Sequence, residues 1–151
     1  MTDSSTSIGD SPSLTPETVL AEVSLPETLS IAGVAFGEFA AGLATGDWTA
    51  FLDRLSEDFR FWFPAGPFKG WNHGKDRAIA FFSSVSHVFP EGLTLTISQV
   101  TYNATTVVFE VQSRGKMLGH NYENQAAIAF EVRDGQIVCY REYLGVVYQL
   151  Q

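Results

Sequence analysis

Three side chains near the end of the chain have types and spacing suited to acid–base chemistry: Glu142, Tyr122 and His120. Glu142 sits in a segment rich in Val, Tyr, Leu and Gly. A carboxyl group held in an apolar cavity has its pKa raised by desolvation. That suits a general base or acid working near neutral pH. The competing reading is a surface carboxylate paired with Arg141 or with a charge on a dimer partner. Tyr122 carries a phenol able to donate to a developing oxyanion, or, as a core aromatic, to a backbone carbonyl. His120 shares strand parity with Tyr122 and is a second acid–base candidate. The reaction class this trio suits is isomerisation, cyclisation or dehydration of a small carbonyl compound. It needs a base and an oxyanion site and no cofactor.

Other chemistries lack their residues. His73, His87 and His120 are too scattered for a spaced metal motif. The single cysteine, Cys139, permits neither an internal disulfide nor a cysteine-based zinc site, and reads as a small buried hydrophobe. Gly66, Gly70 and Gly74 do not spell a phosphate loop, and Ser83, Ser84 and Ser86 lack a nucleophile elbow. A net charge of −8 argues against nucleic acid and anionic membrane surfaces as partners. No stretch reads as a membrane span, and Met1–Asp10 does not read as a signal peptide, so the expected location is cytoplasmic.

The positioning elements follow from periodicity. At 151 residues, 45% hydrophobic, the chain suits one domain with a real core. Residues 1–28, rich in Ser, Thr and Pro, read as an N-terminal arm, and residues 29–151 as the folded domain. Phe36, Phe39, Ala40 and Leu43 mark one face of a helix that Gly46 stops. Asp47 can cap a short second helix carrying Trp48, Phe51, Leu52 and Leu55. Asp58–Phe63 reads as a strand, followed by a loop through Gly74. A third helix spans Lys75–Val88, with Ala78, Phe81, Phe82 and Val85 inward. Four meandering strands complete the chain, the last two joined by an Asp134-Gly135 hairpin turn. Helices gathered before a meander predict an α+β fold, a curved antiparallel sheet wrapped as a cone around the helices, with a pocket at its mouth. Phe39, Trp62, Phe82 and Tyr140 are the candidate walls of that pocket for a small apolar molecule.

Gly46-Asp47-Trp48, Asp58-Phe59 and the Phe61–Gly70 segment resemble the SnoaL-like, ketosteroid-isomerase-like cones. In the last third, Tyr122-Glu123-Asn124, Asp134-Gly135-Gln136-Ile137 and Arg141-Glu142-Tyr143 resemble the phenazine-biosynthesis A/B proteins of that superfamily. The resemblance implies acid–base roles for Tyr122 and Glu142, and a homodimer. The Thr94-Thr96-Ser98 and Glu110-Gln112 rows would suit a polar interface on the outer sheet face. Where the phenazine proteins carry a His and a Ser before the Phe-Pro that ends helix three, this chain has Phe81 and Val85. Where many SnoaL-like cyclases carry an Asp three residues after the Glu, it has Gly145. A more apolar pocket follows, and a non-catalytic ligand- or partner-binding module is the alternative. Epoxide hydrolysis, known on the same cone, needs an Asp–Arg–Asp set that the final strand does not supply.

A parity conflict makes the site testable. A plain two-residue hairpin at Asp134-Gly135 sets Glu142 across from Ala127, on the face opposite Tyr122. Both can face one pocket only if a β-bulge intervenes. It is expected between Tyr122 and Ala127 or between Glu142 and Val147, with Ala127 and Ala129 leaving open space beside Glu142. Glu142 itself should be mostly buried and in reach of the main cavity.

Overall fold

The computed structural model describes residues 26–145. Helix α1 (Glu27–Thr45) leads into the short α2 (Thr49–Asp53) and strand β1 (Leu55–Phe63). A 3₁₀ turn, β2 (Gly70–His73) and α3 (Lys75–Val88) follow. Strands β3 (Leu93–Tyr102), β4 (Thr106–Met117), β5 (His120–Arg133) and β6 (Gln136–Leu144) form the meander. The predicted arm lies outside the described residues except for Pro26–Thr28, where α1 already begins.

The six strands make one curved, unclosed sheet in the order β2-β1-β6-β5-β4-β3. It is mixed rather than antiparallel, because β1 pairs parallel with β6. Strand β2 occupies what the sequence suggested was loop, pairing antiparallel with β1 from Arg60↔His73 to Phe63↔Gly70. A four-residue segment holding Gly and Asn has too short a pattern to announce itself as a strand.

The helices cover one sheet face because each carries a single apolar stripe. Ala32, Ala35, Phe36, Phe39 and Leu43 of α1, and Ala78, Phe81 and Phe82 of α3, are buried. By length and composition α1 passes as a membrane span, at mean hydropathy 1.3, contrary to the sequence reading. Here its buried stripe is the centre of the core. Phe39 has its ring centroid 5.3 Å from Phe51, 5.6 Å from Phe130 and 5.6 Å from Tyr140. Each fully buried Phe contributes roughly 2–3 kcal/mol of hydrophobic stabilisation.

Two joints fix the helix layer. Gly46, at φ 84°, ends α1 in the left-handed conformation, its N–H donating to the Gly42 carbonyl at 2.8 Å. Gly42 lets the Trp48 ring lie against α1: a Cβ there would stand 2.4 Å from the ring. The indole N–H of Trp48 donates to Ser86 Oγ at 2.8 Å, tying the start of α2 to α3.

Candidate functional site

An internal cavity of about 80 Å³ lies between the helix layer and the sheet. Helices α1 and α3 supply Phe39, Phe81, Phe82 and Val85. The sheet supplies Ser113, Tyr122, Ile128, Tyr140 and Glu142, among others. Phe81 and Val85, the positions where the phenazine-type resemblance expects His and Ser, therefore form apolar wall.

Glu142 and Tyr122 do line the same cavity. The reason is a β-bulge, though not where the sequence reading placed it. The β5–β6 register runs Arg133↔Gln136 and Val132↔Ile137, then resumes at Glu131↔Cys139, leaving Val138 as the extra residue. Ile137 faces the core before the bulge. After it, Tyr140, Glu142 and Leu144 take the inward face. Glu142 consequently pairs with Ile128, not Ala127. The open space beside it is bounded by Ala126 and Ile128, with Ala127 outside. The hairpin turn follows its type: Asp134 and Gly135 have φ 52° and 77°.

Glu142 is half-buried, and it lines the cavity. Burial pushes its carboxyl up from the ordinary 4.5 to about 7, while a hydrogen bond from Tyr140 pulls the other way. The Tyr140 hydroxyl donates to Glu142 Oε1. Its phenol, 1% exposed, is held well above its usual range by desolvation and by the adjacent carboxyl, so it stays a donor. Arg141, the obvious surface partner for Glu142, points to the opposite face and bonds Glu131 instead. Among the described residues, Glu142 thus has a phenol but no cation beside it.

Tyr122 stands farther toward the β4–β5 turn. Its oxygen accepts from Asn124 Nδ2 at 3.0 Å, and its ring meets Phe89 edge-on at 5.1 Å. Phe39, Phe82 and Tyr140 also line the cavity. Trp62 and His120 do not. Trp62 is on the outer sheet face, stacked on Tyr143 at 5.2 Å. The inward residues of β1 are Phe59, Phe61 and Phe63, and strand alternation turns Trp62 away from them. His120 has the parity of Tyr122 but opens β5 at the hairpin tip, exposed and beyond the cavity lining.

The sequence reading missed Ser113, 5% exposed in the cavity wall. A polar residue on the inward row of Val107, Phe109 and Val111 was the available signal. Among the described residues, no three His, Cys, Asp or Glu side chains come together to hold a metal ion.

The SnoaL-like domain model matches residues 36–140, most of the described fold and most of the site. The chain belongs to the SnoaL-like family. An NTF2-like protein from Anabaena variabilis has 48% identity to it over 82% of this chain and 93% of that one, with a TM-score of 0.80. A candidate SnoaL-like polyketide cyclase from Jannaschia (20% identity, 78% and 85% of the two chains, TM-score 0.66) shares the fold. So does an epoxide hydrolase from M. tuberculosis (20% identity, 80% and 86%, TM-score 0.63). The comparison with curated proteins returns no match. Among these proteins the fold is common ground, while their chemistry differs with their side chains.

Proposed function

We propose that this SnoaL-like protein is a cofactor-independent acid–base enzyme acting on a small, largely apolar carbonyl compound, with Glu142 as the base. One observation carries the reading: a carboxyl in an apolar cavity, without a cation partner among the described residues, poised at about 7. Such a group is substantially ionised at neutral pH and still basic enough to take a proton from the carbon next to a carbonyl. The Tyr140 hydroxyl holds Oε1, and no other hydrogen bond to this carboxyl occurs among the described residues. The second oxygen is thus available to a substrate. Phe81, Phe82 and Val85 exclude water, which strengthens each polar contact inside.

Size narrows the substrate. The cavity has roughly half the ~150 Å³ that holds a benzene ring. Short ketones and aldehydes fit this space better than ring systems. The homodimer expected through the outer sheet face belongs to the same proposal. That face carries Trp71 and Tyr143, each 46% exposed, and sedimentation velocity tests it. A cytoplasmic location is proposed with it.

The test is hydrogen–deuterium exchange at the carbons beside the carbonyl of butan-2-one, followed by proton NMR in D₂O. The wild type should accelerate exchange, with a rate that rises through about pH 7 as Glu142 ionises. Glu142→Gln should lose roughly two to four orders of magnitude. Exchange at the wild-type rate in Glu142→Gln would remove Glu142 from the chemistry. Binding without exchange in either protein would favour the non-catalytic module.

A further inference from the structure

We infer that residues 19–25 of this chain dock on an apolar row of strand β3 and hold that edge strand beside helix α1. The row is Ile97, Val100 and Tyr102. Its occupant is the chain's own N-terminal segment, not a second molecule. The inference stands apart from the acid–base reading of Glu142.

The row lies on the helix-bearing face of the sheet. Ile97, Val100 and Tyr102 pair with Val111, Phe109 and Val107, all buried in the core. Cross-strand partners share a face. A bulge at Ser98 puts Ile97 and Val100 on the same side although they are three residues apart. Yet Ile97 is 45% exposed, Val100 40% and Tyr102 49%. The position of α1 is the cause. At its start, Thr28 Oγ1 donates to the Ala104 carbonyl at 2.7 Å, in the β3–β4 turn. At its end, a Cβ on Gly92, just before β3, would stand 2.3 Å from the Ala44 carbonyl oxygen. Helix α1 therefore runs beside β3 in the opposite direction. Its Phe36 stacks on Phe109 of β4, one strand farther in, at 4.3 Å. The flank of α1 that includes Ala44 carries Gly33, Gly37 and Ala40 at helical spacing. A Cβ on Gly33 or Gly37 would meet no atom within 4 Å. Side chains this small do not reach across to the row.

An apolar row on an edge strand invites another chain unless something covers it. The point where the chain enters α1 selects the occupant. Pro26 precedes α1, and Thr28 already touches Ala104, two residues from Tyr102. The residues before Pro26 thus reach the fold at one end of the row. Directly before that entry stand Val19, Leu20, Ala21, Val23 and Leu25, whereas residues 1–18 hold only Met1, Ile8 and Leu14 as apolar side chains besides proline. Seven residues span up to about 23 Å when extended. The five steps from Tyr102 back to Ile97 take roughly 17 Å of strand. The segment is therefore long enough to cover the whole row from its anchor. Tethering gives it an effective concentration on the order of millimolar, which favours it over a free second copy. Strand β3 has β4 as its one strand neighbour among the described residues, and it supplies Leu93 and Leu95 to the cavity wall. A docked segment would steady a strand that shapes the pocket.

The experiment is methyl NOE spectroscopy on the full chain. Contacts should join the methyls of Val19, Leu20, Val23 or Leu25 to Ile97, Val100 or the Tyr102 ring, and should persist on dilution. In a mixture of isotope-labelled and unlabelled chains, they should stay within one chain. A Glu-specific protease gives a second readout. Cleavage after Glu22 should be about tenfold faster in Val100→Lys than in wild type, because a charge on the row releases the segment. Absence of the contacts, with equal cleavage of the two proteins, overturns the inference. Contacts found only between labelled and unlabelled chains give the row to a second copy and overturn it equally. Should Val100→Lys not fold, Ile97→Lys tests the same row from its far end.

Discussion

Replacing Glu142 by Gln should make the protein more stable at alkaline pH. The folded state holds this carboxyl at about 7 against an ordinary 4.5. Between those values the native protein keeps a proton that the unfolded chain has released. Stability therefore falls as pH rises through this window and is level above it. At 1.36 kcal/mol per pH unit, the distance from 4.5 to about 7 amounts to at most about 3 kcal/mol. Gln is nearly isosteric, cannot ionise, and still offers an oxygen to the Tyr140 hydroxyl, so it should escape the penalty. Urea unfolding of both proteins from about pH 5 to about pH 8 measures the effect. The other carboxylates are common to both and cancel in the difference. The variant should gain about 2–3 kcal/mol on the wild type across that range. Parallel curves would mean that the Glu142 carboxyl is as well solvated in the folded chain as in the unfolded one, and the argument for a poised base would fall with it.

Tyr140→Phe removes the hydrogen bond that draws the Glu142 pKa down, so the midpoint of the exchange-rate profile should move above about 7; a pH–rate series checks this. Gly42→Ala would drive a methyl into the Trp48 ring and should cost about 1–3 kcal/mol in thermal or urea unfolding. Trp62→Ala removes an outward aromatic and should leave ketone affinity unchanged in an amide chemical-shift titration. Phe81→Ala opens the apolar wall and should destabilise by about 3–5 kcal/mol while admitting larger ketones, readable by unfolding and by binding of cyclohexanone.

The helices were legible because their stripes are long and regular: α3 spans Lys75–Val88, as the periodicity predicts. The Asp134-Gly135 turn was legible because its backbone requires residues that tolerate positive φ. Strand β2 was not, since its place depends on pairing with β1 rather than on its own four residues. The parallel β1–β6 pair is likewise a tertiary fact without a local signal. Within the site, parity carried the sequence reading as far as the need for a bulge. The bulge's position was hidden, because Ile137-Val138-Cys139 is uniformly apolar and offers no alternation to break. Trp62 could have been placed correctly from the sequence, since three Phe of one parity in β1 outvote one Trp of the other. Ser113 continues the inward alternation of Val107, Phe109 and Val111, so its place was legible, but a lone hydroxyl there does not announce a cavity until the facing helices are known.

The extra residue at Val138 has a consequence for how such a pocket can change over time. Point substitutions alter one wall position at a time. Loss of this one residue would leave β6 in the plain register of the hairpin, with Glu142 still opposite Ile128. If instead Val138 were taken into the ladder opposite Glu131, Tyr140, Glu142 and Leu144 would exchange faces with Cys139, Arg141 and Tyr143, and a carboxyl-bearing interior would become a guanidinium-bearing one. The polarity of the cavity is thus written in the register of a strand as much as in its letters. A one-residue slip of β6 against β5 is a shorter path from a carboxyl-bearing pocket to a guanidinium-bearing one than any series of replacements.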